Sequence, residues 1–223
     1  MSIFIISWTL FCIAFGLMLL LTLIMGTQSL QFYTKDVVVK RFSIMELKLP
    51  ATPKELVNLI KGLYGLPEPQ SKKTVKALRT HLYLDFLFMP CAYGAIFLLC
   101  MLVSAKMQLS FGTNIFKIFA WLQVVSWLCD ITVNIYLLLK INPNPMSSSP
   151  SVHKAYLCME IVKWGIAFIA AISAVAAICY FWLAGYYNVH TLNYLFIIAG
   201  EIILFVLLGK FFLKSKKEEV AFS

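Results

Sequence analysis

Long apolar runs dominate the pattern of hydrophobic and polar positions along this chain. Each run is longer than the ~20 residues that a helix needs to cross about 30 Å of hydrocarbon. Lipid offers no partner for an unpaired backbone amide, so a chain segment inside the membrane has to be helical. We therefore predict an all-α fold, a polytopic membrane helical bundle with five transmembrane helices at about residues 3–25, 82–104, 115–139, 155–183 and 192–213.

Composition indicates the same class of protein. Apolar residues make up 61% of the 223 positions and charged residues only 13%, whereas ordinary soluble domains carry about a quarter charged residues. We expect a single integral membrane domain, 1–223. The first run, 3–25, has neither the basic start nor the small-residue cleavage site of a signal peptide, which predicts a retained helix.

Basic residues concentrate in the segment between the first two runs, 26–81. This segment holds more than half of the 19 lysines and arginines: Lys35, Lys40, Arg41, Lys48, Lys54, Lys61, Lys72, Lys73, Lys76 and Arg79. The positive-inside rule then predicts a cytoplasmic loop 26–81, an amino terminus outside and a carboxyl terminus in the cytoplasm. The net charge of +9 reflects this topology, and no basic-aromatic motif indicates nucleic-acid binding.

The cytoplasmic loop has predicted elements of its own. Apolar and polar residues alternate from Met45 to Leu49, which predicts a short extended segment that ends at Pro50. A capping box with proline at the first helical position spans 52–55, and apolar residues follow it at helical spacing. This pattern predicts one cytoplasmic amphipathic helix of about three turns. Such a helix lies in the headgroup plane or closes the mouth of the bundle; alternatively, it is a lid or a dock for a partner.

Ionisable side chains interrupt the apolar runs at similar depth. An ionised side chain in hydrocarbon costs from roughly 3 to over 10 kcal/mol, depending on how far it reaches toward water. We therefore expect these residues to turn inward, with Lys163 as the cation that lets the carboxylates be buried together. The sequence predicts a polar binding pocket in the cytoplasmic half of the membrane, formed by Asp85, Asp130, Asn134, Glu160, Lys163 and Glu201.

A pocket with more carboxylates than cations has several possible roles. The carboxylates cannot all stay ionised together, so we expect at least one to hold a proton. A proton relay, a general acid or a cation site would each use such a group. The alternative is structural: the same side chains fix helix register through bonds worth about 1 kcal/mol each.

Signals for cofactors and catalysis are weak. The six cysteines lie in predicted spans without a CxxC pair, which argues against a zinc or thioredoxin-like site. His81 and His153 are predicted near the same membrane face as Asp85 and Glu160, but without a paired ligand motif we expect no metal. No nucleophile–base pair is evident, so we name no catalytic residue and no cofactor.

Two short motifs, which contain Asp85, Asp130 and Asn134, resemble those of a known family. The stretch 84–90, LDFLFMP, with Tyr93 after it, resembles the LDFLF-I-P-x-Y stretch of an uncharacterised group of bacterial multi-pass membrane proteins. A later helix in that group carries an Asp-x-x-Glu-Asn run; here Asp130 and Asn134 match, and Val133 replaces the Glu. The resemblance spans the loop helix and the second to fourth spans. It implies a bacterial inner-membrane location and a recurring polar set, but no activity.

Three classes of function are therefore open. The first is binding or transport of a proton, a cation or an amphiphile's headgroup at the polar pocket. The second is a structural or assembly subunit of a larger membrane complex. The third is a lipid-modifying intramembrane enzyme, which we place last because carboxylates alone are a non-specific signal. The expected partners are the lipid bilayer and, within it, lipid or other membrane subunits.

Overall fold

The computed structural model describes residues 7–221, with side chains from 7 to 212. Within this part of the chain, seven α-helices and one small antiparallel hairpin follow one another. Their order is α1 (Trp8–Ser29), β1 (Tyr33–Lys35), β2 (Val39–Arg41), α2 (Ile44–Lys48), α3 (Pro53–Tyr64), α4 (Glu68–Ser104), α5 (Ser110–Lys140), α6 (Pro150–Leu183) and α7 (Leu192–Ala221). A 3₁₀ turn, Val189–Thr191, leads into α7.

Five of these helices (α1, α4, α5, α6 and α7) are long and apolar enough to cross a membrane. The prediction of an all-α, polytopic membrane helical bundle with five spanning helices is confirmed, apart from the small β1–β2 hairpin. The helix ends differ from the predicted spans, since α4 begins at Glu68 and not near residue 82. Hydropathy marks only the part of a helix that lipid covers, whereas the backbone hydrogen bonds continue beyond it. The predicted start of the first span, at residue 3, lies outside the described residues.

The segment before α3 departs from its predicted structure. The extended segment predicted from Met45 to Leu49 is wrong, because residues 44–48 form α2. Ser43 and Glu46 build a capping box: Ser43 Oγ accepts from Glu46 N at 3.2 Å, and Glu46 Oε1 accepts from Ser43 N at 2.9 Å. Two backbone amides are thereby satisfied, which favours a helix start over the strand that simple alternation indicated.

The start of α3 follows the sequence signal closely. Thr52 is the N-cap residue, its hydroxyl accepts from Glu55 N at 3.2 Å, and Pro53 is the first helical residue. The Glu55 carboxylate bonds the amide of Ala51 at 2.7 Å, one residue earlier than in a regular capping box. The predicted amphipathic helix of about three turns is confirmed by the 12 residues of α3.

The apolar face of α3 is buried within the protein. Leu56, Ile60 and Leu63 pack in one cluster with Leu78 of α4 and Leu137 of α5. A helix that lies in the headgroup plane needs an apolar face that is open to lipid. This face is covered by the protein itself, so α3 is a packed part of the fold, and its position relative to the headgroups or the mouth of the bundle stays a prediction.

The hairpin lies directly on α3, and a glycine allows this contact. In the hairpin Thr34 is opposite Lys40, and Thr34 Oγ1 donates to Leu59 O of α3 at 3.1 Å. A Cβ at Gly62 would overlap the Thr34 hydroxyl and come within 2.8 Å of Lys35 O. No other residue type fits at this position without movement of the β1 backbone.

Gly62→Ala should therefore lower the free energy of unfolding by about 1–3 kcal/mol, the usual cost of overpacking. Gly65→Ala is the matched control, since a Cβ there would make ordinary contacts at 3.7 Å or more. Thermal unfolding in mild detergent compares the two variants. Equal stability of Gly62→Ala and Gly65→Ala would contradict the close packing of β1 on α3.

Contacts divide the chain into two compact units. Unit 1 comprises the described residues up to Leu21, Phe88–Leu128 and Val162–Leu207. Unit 2 comprises Thr22–Leu87, Cys129–Ile161 and the described residues from Leu208. Unit 1 has an apolar core that includes Trp8, Phe11, Ala170 and Ala174. Unit 2 has the core that contains the apolar face of α3. The single domain expected from the sequence stays a prediction.

Candidate functional site

A buried lysine from the loop contacts two carboxylates inside unit 2. Lys48, the last residue of α2, is only 7% exposed. Its Nζ lies 2.6 Å from Asp85 Oδ2 on α4 and 3.6 Å from Asp130 Oδ1 on α5. The first contact is a short charge-assisted hydrogen bond, and the second is a longer ionic contact. One ammonium group thus joins the loop to two spanning helices.

Asn134 adds a second donor to the same carboxylate. Its Nδ2 donates to Asp85 Oδ2 at 2.8 Å, so this oxygen accepts from both Asn134 and Lys48. Asp130 and Asn134 are four residues apart on α5, which places them on one face of that helix. Asn134 Oδ1 is buried and has no hydrogen-bond partner among the described residues. A free acceptor therefore lies on the side chain that binds Asp85.

Packing around α2 positions Lys48. Leu47 is fully buried in the core of unit 2, and its carbonyl accepts from Tyr156 Oη of α6 at 3.2 Å. The Tyr156 ring is also buried, with its centroid 5.0 Å from that of Tyr136. A helix of five residues is not stable alone in water. The capping box and these tertiary contacts therefore hold α2, and Lys48 with it, against α4 and α5.

Glu160 of α6 is a third carboxylate that acts on Lys48. It is fully buried, and its charge adds to those of Asp85 and Asp130. Burial alone lowers the pKa of Lys48, but the three carboxylates more than reverse this effect, and the pKa is raised above the ordinary lysine value. Lys48 is therefore charged at neutral pH. We call Lys48, Asp85, Asp130, Asn134 and Glu160 the polar cluster.

The raised pKa of Lys48 predicts a loss of stability at alkaline pH. A group whose pKa is higher in the folded protein stabilises the fold below its unfolded value, here 10.5, and this contribution is lost as the pH rises through the folded value. Between pH 10.5 and the folded value, the thermal unfolding midpoint should fall more steeply in wild type than in Lys48→Met. Lys54→Met, which removes an exposed lysine of α3, should keep the wild-type slope. If the unfolding midpoint depends on pH equally in all three proteins, the raised pKa of Lys48 is contradicted.

Two of the six predicted site residues, Lys163 and Glu201, belong to unit 1. Lys163 is fully buried, and its Nζ lies 5.9 Å from the ring centroid of Trp164. Glu201 of α7 lies beside Gly16 of α1, where a Cβ would come within 2.9 Å of Glu201 Oε1. The other four predicted residues all belong to the polar cluster. A binding role for the six stays a prediction.

Sequence reasoning missed Lys48 as a member of the cluster. It was one of many basic residues in the loop, and the expected counterion was Lys163. The Ser43–Glu46 capping box was the available signal, because it predicts a short helix that carries Leu47 and Lys48 together. Nothing local indicates that this helix packs against Asp85, which lies 37 positions further along the chain.

The two histidines considered as metal ligands are buried in unit 2. His81 Nδ1 lies 3.2 Å from Met25 O, and the ring packs edge-on against Phe32 at 5.4 Å. His153 stacks on Tyr156 at 6.4 Å, and neither of its ring nitrogens has a hydrogen-bond partner in the described part of the chain. Among the residues with described side chains, no group of three or more His, Cys, Asp or Glu residues could hold a metal ion.

Buried carboxylates outnumber buried lysines and arginines among the described side chains. The carboxylates are Asp85, Asp130 and Glu160, and the cations are Lys48 and Lys163. The three carboxylates all belong to unit 2, whose described side chains include one buried lysine, Lys48. Burial disfavours the ionised form of a carboxyl group and a nearby ammonium favours it, so a cluster with more carboxylates than cations is suited to taking up and releasing a proton. No protein-family model, curated protein or solved structure matches the chain.

Proposed function

We propose that this multi-pass membrane protein binds or transports a proton at the polar cluster. The observation that carries the proposal is the surplus of buried carboxylates over lysine inside unit 2, where Lys48 lies between Asp85 and Asp130 of two spanning helices. Ionisable residues inside a membrane are costly, and they commonly mark ion pathways and proton relays. Three carboxylates act on the one lysine of the cluster, which is more acidic groups than a single ion pair needs.

A proton fits the geometry better than a metal cation or a headgroup amine. The Lys48 ammonium occupies the space between Asp85 Oδ2 and Asp130 Oδ1, where such a cation would bind. A cation would have to displace Lys48 and the helix that carries it, whereas a proton needs only one carboxyl oxygen. When one aspartate takes the proton, the ammonium can shift toward the other. Lys48 is then the counterion that moves between two carboxylates.

Proton flux in proteoliposomes tests this proposal. The purified protein is reconstituted with a pH-sensitive dye inside the vesicles, and a membrane potential is imposed. Wild type should acidify the lumen faster than protein-free vesicles of the same lipid. A rate equal to that of protein-free vesicles, with folded protein present, would contradict proton transport by this protein.

We further infer a bacterial inner-membrane location with the amino terminus outside and the carboxyl terminus in the cytoplasm. The concentration of lysine and arginine in 26–81 supports this orientation. A Lys61→Cys variant, in a background without the six native cysteines, should react with an impermeant thiol reagent only after the cells are opened. Labelling from the outside of intact cells would reverse the orientation.

One observation favours a second candidate, a structural or assembly subunit of a membrane complex. None of the residues in the apolar stretch Val189–Phe212 is buried in the described chain, and this stretch carries Glu201. A carboxylate on a spanning helix that has no fully buried residue is typical of a helix that pairs with another membrane protein. Stoichiometric co-purification of other subunits in mild detergent would favour this candidate over an independent proton carrier.

A further inference from the structure

A basic groove lies on unit 2, along the part of α4 that precedes Asp85 of the polar cluster. It has a volume of about 710 Å³ and runs between the end of α3, at Tyr64, and the first turns of α4. The α4 side of the groove is lined by Lys72, Lys76, Arg79 and Tyr83. These four residues are spaced four, three and four apart, so they form one stripe along a single helix face. All four side chains are exposed.

The charge of the groove is positive. Glu68 is the only acidic residue in its lining, and it pairs with Lys72 at 2.6 Å in an exposed i, i+4 contact. Arg79 donates from Nη2 to Ile141 O at 2.8 Å, which fixes the guanidinium at the wall of the groove. Three cations thus face one carboxylate, and the groove is complementary to an anion.

The inner end of the stripe lies at the depth of lipid phosphates. The apolar part of α4 is predicted to begin near Leu82, and at 1.5 Å per residue Arg79 lies about 4.5 Å and Lys76 about 9 Å before it. The headgroup layer on each side of a bilayer is about 5–7 Å thick, so the backbone of Arg79 lies within this layer and that of Lys76 just beyond it, from where the long lysine side chain reaches back toward the phosphates. Tyr83 is 61% exposed at the boundary itself, where tyrosine rings are enriched. Val75 and Leu66 add apolar lining below the cations.

We propose that this groove binds the headgroup of an anionic phospholipid, with its phosphate held by Lys76 and Arg79 and with Lys72 at the outer rim. Basic pockets at the membrane ends of helices bind such headgroups through their charge. The apolar lining and Tyr83 then contact the glycerol and upper acyl region. This inference does not depend on the proton site or on which side of the membrane the groove faces.

Native mass spectrometry of the delipidated full-length protein tests the proposal. Phosphatidylglycerol is added and compared with phosphatidylcholine of the same acyl chains. Each basic residue near a bilayer contributes about 1 kcal/mol to the binding of anionic lipid. Removal of one lysine should therefore weaken the affinity for phosphatidylglycerol roughly fivefold. Lys72→Gln with Lys76→Gln should therefore weaken phosphatidylglycerol binding by about 25-fold and leave phosphatidylcholine binding unchanged. Arg79 is kept because of its bond to Ile141.

A matched control removes the same charge elsewhere. Lys54→Gln with Lys61→Gln changes two exposed lysines of α3 that do not line the groove, and it should retain wild-type binding. Equal losses in both double variants, or no preference for phosphatidylglycerol in wild type, would overturn the proposal. A third arm adds inorganic phosphate at matched ionic strength. Release of phosphatidylglycerol at equal phosphate concentration would also overturn it, since the occupant would then be free phosphate and not a lipid.

Discussion

Replacing Lys48 with Met is expected to lower the free energy of unfolding by about 3–5 kcal/mol, the usual cost of removing one partner of a buried ion pair. The ammonium is almost completely buried, and it is 2.6 Å from Asp85 and 3.6 Å from Asp130. Met fills a similar volume but leaves the carboxylates without this counterion. The measurement is equilibrium unfolding in mixed micelles at neutral pH, with Lys54→Met as the exposed control.

A second substitution shows whether the loss comes from the ion pair. Asp85→Asn removes one negative charge, keeps the shape of the side chain and can still accept from Asn134. In the Lys48→Met background it should recover part of the stability, with an interaction energy of about 1–3 kcal/mol between the two positions. Strictly additive effects would mean that the Lys48–Asp85 contact contributes nothing specific to the fold.

The other large effect is expected on proton flux. Asp130→Asn should slow acidification of proteoliposomes by a factor on the order of 100, the typical contribution of one positioned proton-transfer group. The amide is close to the carboxylate in size, but it cannot take up and release a proton near neutral pH. Because Asp130 makes the longer contact with Lys48, its loss should disturb the loop less than the loss of Asp85 would.

Glu201→Gln is the matched control for this prediction. It removes a carboxylate from another spanning helix, beside Gly16 in unit 1 and outside the polar cluster. Its flux should stay close to wild type. A large loss in Glu201→Gln together with an unchanged rate in Asp130→Asn would place the proton pathway elsewhere.

The helical architecture could be predicted from the sequence because its causes are local. Apolar runs of spanning length have to be helical in lipid, and the Thr52–Glu55 signal with Pro53 places the start of α3 correctly. For α2 the Ser43–Glu46 capping box is the local signal, whereas the hairpin could not be predicted in the same way. The strands β1 and β2 are three residues long, and their stability comes from docking on α3 through Gly62.

In the candidate site, too, only the residues with a local sequence signal could be predicted. Asp85, Asp130 and Glu160 could be recognised because a carboxylate in an apolar run is costly and therefore has to be buried with a partner. Lys48 could not, because it lies among exposed basic residues of a loop and becomes a counterion only when α2 packs against α4 and α5. Hydropathy identifies the polar side chains that are costly in lipid. It does not predict which loop residue pairs with them.

Whether the polar cluster holds a proton is tested most directly by an infrared titration of the purified protein, in which protonated and ionised carboxyl groups absorb separately. A Glu201→Gln background removes the intramembrane carboxyl group that lies outside the polar cluster. We expect a protonated carboxyl signal at neutral pH that disappears on alkaline titration. We also expect this signal to be lost or shifted in Asp130→Asn or Glu160→Gln. Fully ionised carboxylates at neutral pH, or a signal that neither substitution alters, would contradict a proton held in the polar cluster.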